Sequence, residues 1–265
     1  MFMIGIIAGS GVYDPSLVKE IKKEKVQTEF GLPSDEITVA DFEGIKVAFL
    51  PRHGYKHTIN PSNVNYRANI RALKKLGVDR ILSVSAVGSL QKEIKPGCFV
   101  FVNQFIDRTY GRKNTFYDGI TKGFERVCHI NVSDAFCEEL RKPLIAEAKK
   151  LKIEHFEKGT YVGIEGPRFS TRAESALYRS WNAQVIGMTL CPEASLAREA
   201  EICYANISMA TDYDNLSESG ANVEDIIKTM KSNTENVRKL LYATLPKIQE
   251  ERKCICRNAL QGAFI

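Results

Sequence analysis

The chain has 265 residues, 44% hydrophobic and 26% charged, and 37 lysines and arginines against 32 acids leave a net charge of +5. These proportions are those of an ordinary globular protein and exclude a disordered polyelectrolyte. The basic excess is small and dispersed, which argues against nucleic-acid binding, and no apolar run reaches the roughly 18 residues of a membrane span.

The opening segment MFMIGIIAGSG has no basic leader and runs straight into a glycine turn. It reads as a buried first strand rather than a signal peptide, so the protein is expected in the cytoplasm. Short apolar runs, many of them rich in β-branched residues, predict strands at Ile4–Ile7, Ile45–Leu50, Arg80–Val84, Cys98–Val102, Thr160–Ile164, Gln184–Met188 and Cys203–Ala210. Helical spacing of apolar residues predicts helices at Asn63–Leu76, Ala135–Leu151, Thr171–Trp181, Pro192–Ala200 and Val223–Leu245. The alternation implies an α/β layer fold with a parallel or mixed sheet. No linker or repeat divides the chain, so one domain is expected over residues 1–265, with residues 250–265 as a tail bearing Cys254-Ile255-Cys256.

Polar, mostly glycine-bearing loops follow five of the strands: AGSG, PRHG, SAVGS, EGPRFS and TDYD. Ligands of open α/β sheets bind at such strand ends, so five unusual loops in equivalent places point to one composite site. Gly9-Ser10-Gly11 lacks the third glycine of a dinucleotide fingerprint, because Asp14 stands there. Its backbone amides and the Ser10 hydroxyl suit an anion, and an ordinary tight turn explains them equally well. Arg52 offers a planar fork for phosphate oxygens and His53 a further donor, with His57 close by. Ser85 and the free amides around Ala86 offer more. Together these loops can hold a phosphate without a metal, and no metal-ligand motif is present.

Phe169 in EGPRFS offers a face for stacking on a purine, and Ser170 offers either a ligand contact or a cap for the following helix. Met188 and Thr189 offer a thioether on the ribose side and another hydroxyl for phosphate. In TDYD, Asp212 and Asp214 share a face if the strand continues, and two close carboxylates raise each other's pKa. A carboxylic acid placed so can protonate a leaving base, and an Asx turn is the alternative reading.

Read in order, GIIAGSGVYDP, FLPRHG, NYRANIRALKKLG, SVSAVGSL, QFIDRT, TFYDG, IEGPRFSTRAES, IGMT, PEASLAREA and TDYD resemble the methylthioadenosine phosphorylases of the purine nucleoside phosphorylase superfamily, especially archaeal members. The resemblance runs nearly end to end. It implies phosphorolysis of 5'-methylthioadenosine to adenine and 5-methylthioribose 1-phosphate, with phosphate as co-substrate and no cofactor. Phosphate would be held by Ser10, Arg52, His53, Ser85, Ala86 and Thr189. The pentose would be lined by Met188 and His129, and by Val223, Ile226 and Ile227 from a neighbouring subunit or the late helix. Phe169 and Ser170 would contact the base, and Asp212 would meet purine N7 and the exocyclic amine with Asp214 beside it. The resemblance further implies a homotrimer or hexamer, a Cys137–Cys203 disulfide, and the tail CxC of Cys254 and Cys256. The chain departs from the family pattern at Cys191 and Ala194-Ser195, and over residues 217–221. Two other readings stay open: a 6-oxopurine nucleoside phosphorylase, and a nucleoside-binding protein without turnover.

Overall fold

The computed structural model describes residues 2–14, 16–216 and 223–265, the side chains of Ser10, Val223 and Asp225 excepted. In chain order the strands and helices are β1 (Met3–Ala8), β2 (Lys19–Glu24), β3 (Ile37–Phe42), β4 (Ile45–Pro51), α1 (Tyr66–Lys75), β5 (Val78–Ser89), β6 (Phe99–Val100) and β7 (Gln104–Arg108). There follow α2 (Glu138–Lys150), β8 (His155–Phe156), β9 (Thr160–Ile164), α3 (Arg172–Ser180), β10 (Val185–Gly187), α4 (Leu190–Glu199), β11 (Cys203–Tyr213) and α5 (Val223–Thr244). The α/β class with a mixed central sheet is as the sequence predicts.

The sheet runs β2-β3-β4-β1-β5-β10-β9-β7, and β11, followed by β6 and β8, branches from β5. The branching follows from the length of β5. Its first half pairs parallel with β1, while its other edge pairs parallel with β11 along nearly all its length. Past the end of β1, the last residues of β5 accept β10 in antiparallel register. Period-two alternation then divides the core. Ile7 faces a cluster with Ile70 and Leu73 of α1 and Leu196 of α4, whereas Ile4 and Ile6 face Leu140 and Leu144 of α2 and Val237, Leu240 and Leu241 of α5. The α5 spacing of i, i+3 and i+4 is one helical stripe.

Every predicted strand is present, although Cys98–Val102 contributes only the two residues of β6. The sequence reading missed β2, β3, β7 and β8. No helix among the described residues is long and apolar enough to cross a membrane. All seven cysteines are free thiols, so no bond joins Cys137 to Cys203, although their sulfurs lie within 4.8 Å of each other; those of Cys203 and Cys254 are 3.3 Å apart.

One ion pair crosses the buried centre. Glu193 of α4 is 0% exposed and Arg52, just past β4, is 2% exposed. They meet through two contacts, Nε to Oε2 at 2.7 Å and Nη2 to Oε1 at 2.9 Å. Glu193 also accepts from Ser83 and Tyr204 hydroxyls, while Arg52 donates to the carbonyls of Val84 and Ile7. A buried charge left without its partner costs about 3–5 kcal/mol. Glu193→Ala is therefore expected to lower the unfolding free energy by roughly that amount, read from the urea midpoint at unchanged slope; a loss within about 0.5 kcal/mol, the surface-substitution range, would contradict the role.

Candidate active site

The C-terminal ends of β1, β4, β5, β10 and β11 surround a cavity of about 670 Å³. Strand register explains the convergence. Ile186 of β10 stands opposite Gly88 of β5, and in an antiparallel pair each step forward on one strand is a step back on the other. Continued past the strand, this places Thr189 across from Ser85, and their hydroxyl oxygens are 3.1 Å apart. The Thr189 backbone N–H donates to the buried Tyr161 hydroxyl at 3.3 Å. That approach requires glycine before it: a Cβ at Gly187 would lie 2.1 Å from Tyr161 Oη. Asn206 of β11 donates to Ser85 Oγ at 3.0 Å and to Ser83 Oγ at 3.2 Å. The hydroxyl pair is thus linked to the Arg52–Glu193 pair through Asn206 of β11 and Ser83 of β5.

Arg52 lines the cavity, but its fork belongs to Glu193. With Nη1 donating to Val84 and Nη2 to Ser83 as well, one Nη1 hydrogen is left for a ligand. The bidentate phosphate clamp expected from the sequence is not available. His53 is likewise committed: its Nδ1 lies 2.8 Å from the Ile59 carbonyl, which can only accept, so Nδ1 carries the proton. Burial first, then the Arg52 charge, lowers the ring to about 4. The neutral ring therefore keeps a bare Nε2, an acceptor, where the sequence suggested a donor. Ala86 is exposed to the cavity, as expected. Gly9 and Gly11 line it too, while the Ser10 side chain is outside the described set.

The two aspartates separate in role. The β5–β11 register shifts between Ala210 and Asp212, a bulge that sets Asp212 against Gly88 instead of Ser89. β11 ends at Tyr213, so Asp214 sits in the turn beyond it. Both flank Gly88, where a Cβ would be 2.9 Å from Asp214 Cβ and 3.6 Å from Asp212 Oδ2. Asp214 is buried and accepts from Ser170 Oγ at 2.7 and 2.8 Å and from the Ser175 hydroxyl. Its carboxylate ties the EGPRFS loop and α3 to the end of β11. Among the described residues Asp212 accepts from the Thr211 hydroxyl alone, at 2.8 Å. Burial first, with the charge of Asp214 added, raises its pKa against that hydrogen bond.

Ser170 does not cap α3. Thr171 does, accepting from the Glu174 N–H while Glu174 reaches back to the Thr171 N–H. Phe169 and Met188 line the cavity. On α5, Ile226, Met230 and Thr234 line it at helical spacing, and Ile227, one residue off that face, is 65% exposed and does not. The Val223 side chain is outside the described set. His129 is not brought to the cavity; its backbone N–H pairs with the Ala263 carbonyl at 2.7 Å. Cys191, Ala194 and Ser195 also lie off the lining, so those departures from the family pattern are not part of the cavity wall, and residues 217–221 are not described.

The sequence reading missed Glu193, Asn206 and Arg112. The Arg112 side chain is buried and donates to the carbonyls of Met188 at 2.7 Å and Glu165, and to the Glu165 carboxylate at 3.2 Å, joining the loops after β9 and β10. A buried glutamate in the apolar PEASLAREA helix was the available signal for Glu193, since such an acid needs a cation. Nothing local marks Arg112.

A sequence profile described as "Phosphorylase superfamily" matches residues 3–246. An S-methyl-5'-thioadenosine phosphorylase of Thermofilum pendens is 53% identical over 262 residues, covering 99% of this chain and 98% of that protein. A mutant adenosine/methylthioadenosine phosphorylase from Schistosoma mansoni, solved in complex with methylthioadenosine, superposes with a TM-score of 0.92 at 37% identity, over 99% of this chain and 96% of that one. A methylthioadenosine phosphorylase from an antarctic soil metagenomic library gives 0.91 at 42% identity, over 99% and 92%. With this likeness along nearly its whole length, the chain belongs to the phosphorylase superfamily, in the family of the S-methyl-5'-thioadenosine phosphorylases.

Proposed function

We propose that the chain cleaves the N-glycosidic bond of 5'-methylthioadenosine with inorganic phosphate, releasing adenine and 5-methylthioribose 1-phosphate, and that Asp212 is the general acid. The observation that carries the reading is a carboxyl of raised pKa lining the same cavity as the Ser85–Thr189 hydroxyl pair. A phosphate oxygen bonds to the anomeric carbon as the bond to purine N9 breaks. The electron pair goes to the base, and Asp212 gives its proton to N7 so that adenine leaves neutral. Phosphate is both nucleophile and the anion nearest the positive sugar of the transition state.

A protonated Asp212 also reads the base. Its O–H donates to N7 while its carbonyl oxygen accepts from the 6-amino group. A 6-oxopurine sets an acceptor against that oxygen. At the sugar's 5-position Ile226 and Met230 give an apolar wall that suits a methylthio group. Such walls separate substrates by only about 1–3 kcal/mol, so adenosine is a slower substrate rather than an excluded one.

We further infer self-association, homotrimeric as the family resemblance implies. Support comes from Tyr110, Ile120 and Val127, large apolar side chains exposed on this chain, with His129 two residues beyond Val127 and away from its own cavity. A second copy would bring His129 to the pentose.

Asp212→Asn should lower kcat on methylthioadenosine by about 10²–10⁴-fold; an unaltered kcat would remove Asp212 from the chemistry. Because the protonated acid is the working form, kcat should fall as pH rises through the raised Asp212 pKa, and this limb should vanish in the variant. Product formation should require phosphate, and kcat/KM for methylthioinosine should be at least about tenfold lower, or 1.4 kcal/mol, than for methylthioadenosine; parity would favour the 6-oxopurine reading. Light scattering should give a mass of three chains or six, and a monomer with full activity would refute the shared pentose site.

A further inference from the structure

The end of β11 remote from the cavity carries a second cluster of reactive groups. Cys203 opens β11 and pairs with Arg80. Asp212 lies at the far end of the same strand, about 30 Å away at ~3.3 Å per residue. Cys137 is the N-cap residue of α2, its thiol making no capping bond, and its backbone N–H donates to the Tyr204 carbonyl at 2.8 Å. The tail returns here through Cys254, which precedes a 3-10 turn over Ile255–Asn258, and Cys256 within it. The four sulfurs all lie within 4.8 Å of one another. Four thiolates at the 2.3 Å zinc–sulfur distance form a tetrahedron with edges of about 3.8 Å, so these thiols are already gathered on that scale.

The surroundings suit a charged metal–thiolate centre. Cys137, Cys203 and Cys256 are buried, while Cys254 is half-buried and leaves a way in from solvent. The buried Arg198 donates from Nη1 to Cys256 Sγ at 3.2 Å, setting a cation against a group that gains negative charge when thiols ionise. The N-terminus of α2 adds its partial positive charge at Cys137. An all-sulfur donor set selects soft cations and rejects magnesium and calcium. Sequence spacing concealed the set, because its members lie in three separated segments and form no C-x-x-C pair.

We propose that Cys137, Cys203, Cys254 and Cys256 form a tetrathiolate site for a soft cation, zinc(II) foremost, that fastens the C-terminal tail to the start of β11 and α2. Each metal–sulfur bond displaces a thiol proton to solvent, so uptake releases up to four protons and weakens as pH falls. The site excludes disulfides among the same sulfurs, which would leave no thiolates to bind.

The test is a cobalt(II) titration of the full-length protein, reduced and desalted under anaerobic conditions. One equivalent should bind with sulfur-to-cobalt charge transfer in the near ultraviolet and the intense visible bands of tetrahedral cobalt, and zinc(II) should bleach both. Zinc should protect Cys254, the half-buried member of the cluster, from a thiol reagent that labels it in the metal-free protein, while Cys128 stays reactive in both. Cys98→Ser, outside the cluster, should leave uptake unchanged. The double variant Cys254→Ser with Cys256→Ser should bind at least about a hundredfold more weakly and lose the zinc-dependent rise in Tm, with kcat within about twofold of the parent because the cavity is at the other end of β11. A reduced protein that gives no such spectrum, a weak octahedral spectrum, or a double variant that keeps the tetrahedral one would each overturn the proposal.

Discussion

The Arg52–Glu193 pair is the constraint on which the site depends. Arg52 stands at the end of β4 and reaches the carbonyls of Ile7 in β1 and Val84 in β5, and the Ser83 hydroxyl. Glu193 brings α4 to the same point and accepts from Tyr204 of β11. Four neighbouring strands and one helix are therefore held at fixed heights by charged, directional bonds. Apolar packing alone would tolerate sliding between such strands, and a hydrophobic pair of equal volume can be as stable as a buried ion pair. What it would lack is the geometric demand of a planar fork. Thr189, four residues before Glu193, can face Ser85 only if α4 starts where that fork places it.

Register supplies the rest of the geometry. The short antiparallel pairing of β10 with β5 runs the chain back along the cavity floor and delivers Met188 and Thr189 beneath the ligand space. The bulge in β11 adds one residue on the opposite edge and turns Asp212 inward beside Gly88. Asn233 of α5 donates to the Ala210 carbonyl at the bulge, at 3.0 Å. The helix that lines one side of the cavity is thereby fastened to the strand that carries Asp212.

Much of this was legible in the sequence. Apolar runs marked the central strands because strands covered on both faces have little polar content to hide them. β2 escaped because KEIKKE is an edge strand with almost no burial, and β7 because QFIDR is polar and exposed in part. ITVADF of β3 does alternate and went unread. The loops after the strands located the cavity correctly, yet side-chain roles within them depended on partners far away in sequence. Arg52 reads locally as a phosphate fork, and Glu193, its partner, is 141 residues distant. Ser170 reads as a helix cap until Thr171 and Glu174 close the capping box and Asp214 takes the serine hydroxyl. Ile226 and Ile227 are alike in composition, and only the helix phase separates the wall from the surface.

The division between the two aspartates shows how one short motif yields two carboxyls in different surroundings. Two carboxylates beside the same glycine cannot be equivalent once one of them is saturated with donors. Asp214 receives the hydroxyls of Ser170 and Ser175, and Asn215 donates to Ser175 Oγ at 2.9 Å, so the hydroxyl protons are steered toward the carboxylate. Asp212 has one hydroxyl donor, and that same Thr211 hydroxyl also lies 3.2 Å from the Val87 carbonyl. The field of Asp214 then disfavours a second negative charge at Asp212, and burial acts in the same direction. Three hydroxyl and amide groups around one aspartate thus bear on the pKa of its neighbour. The raised pKa of Asp212 thus owes something to what surrounds Asp214 as well as to its own burial.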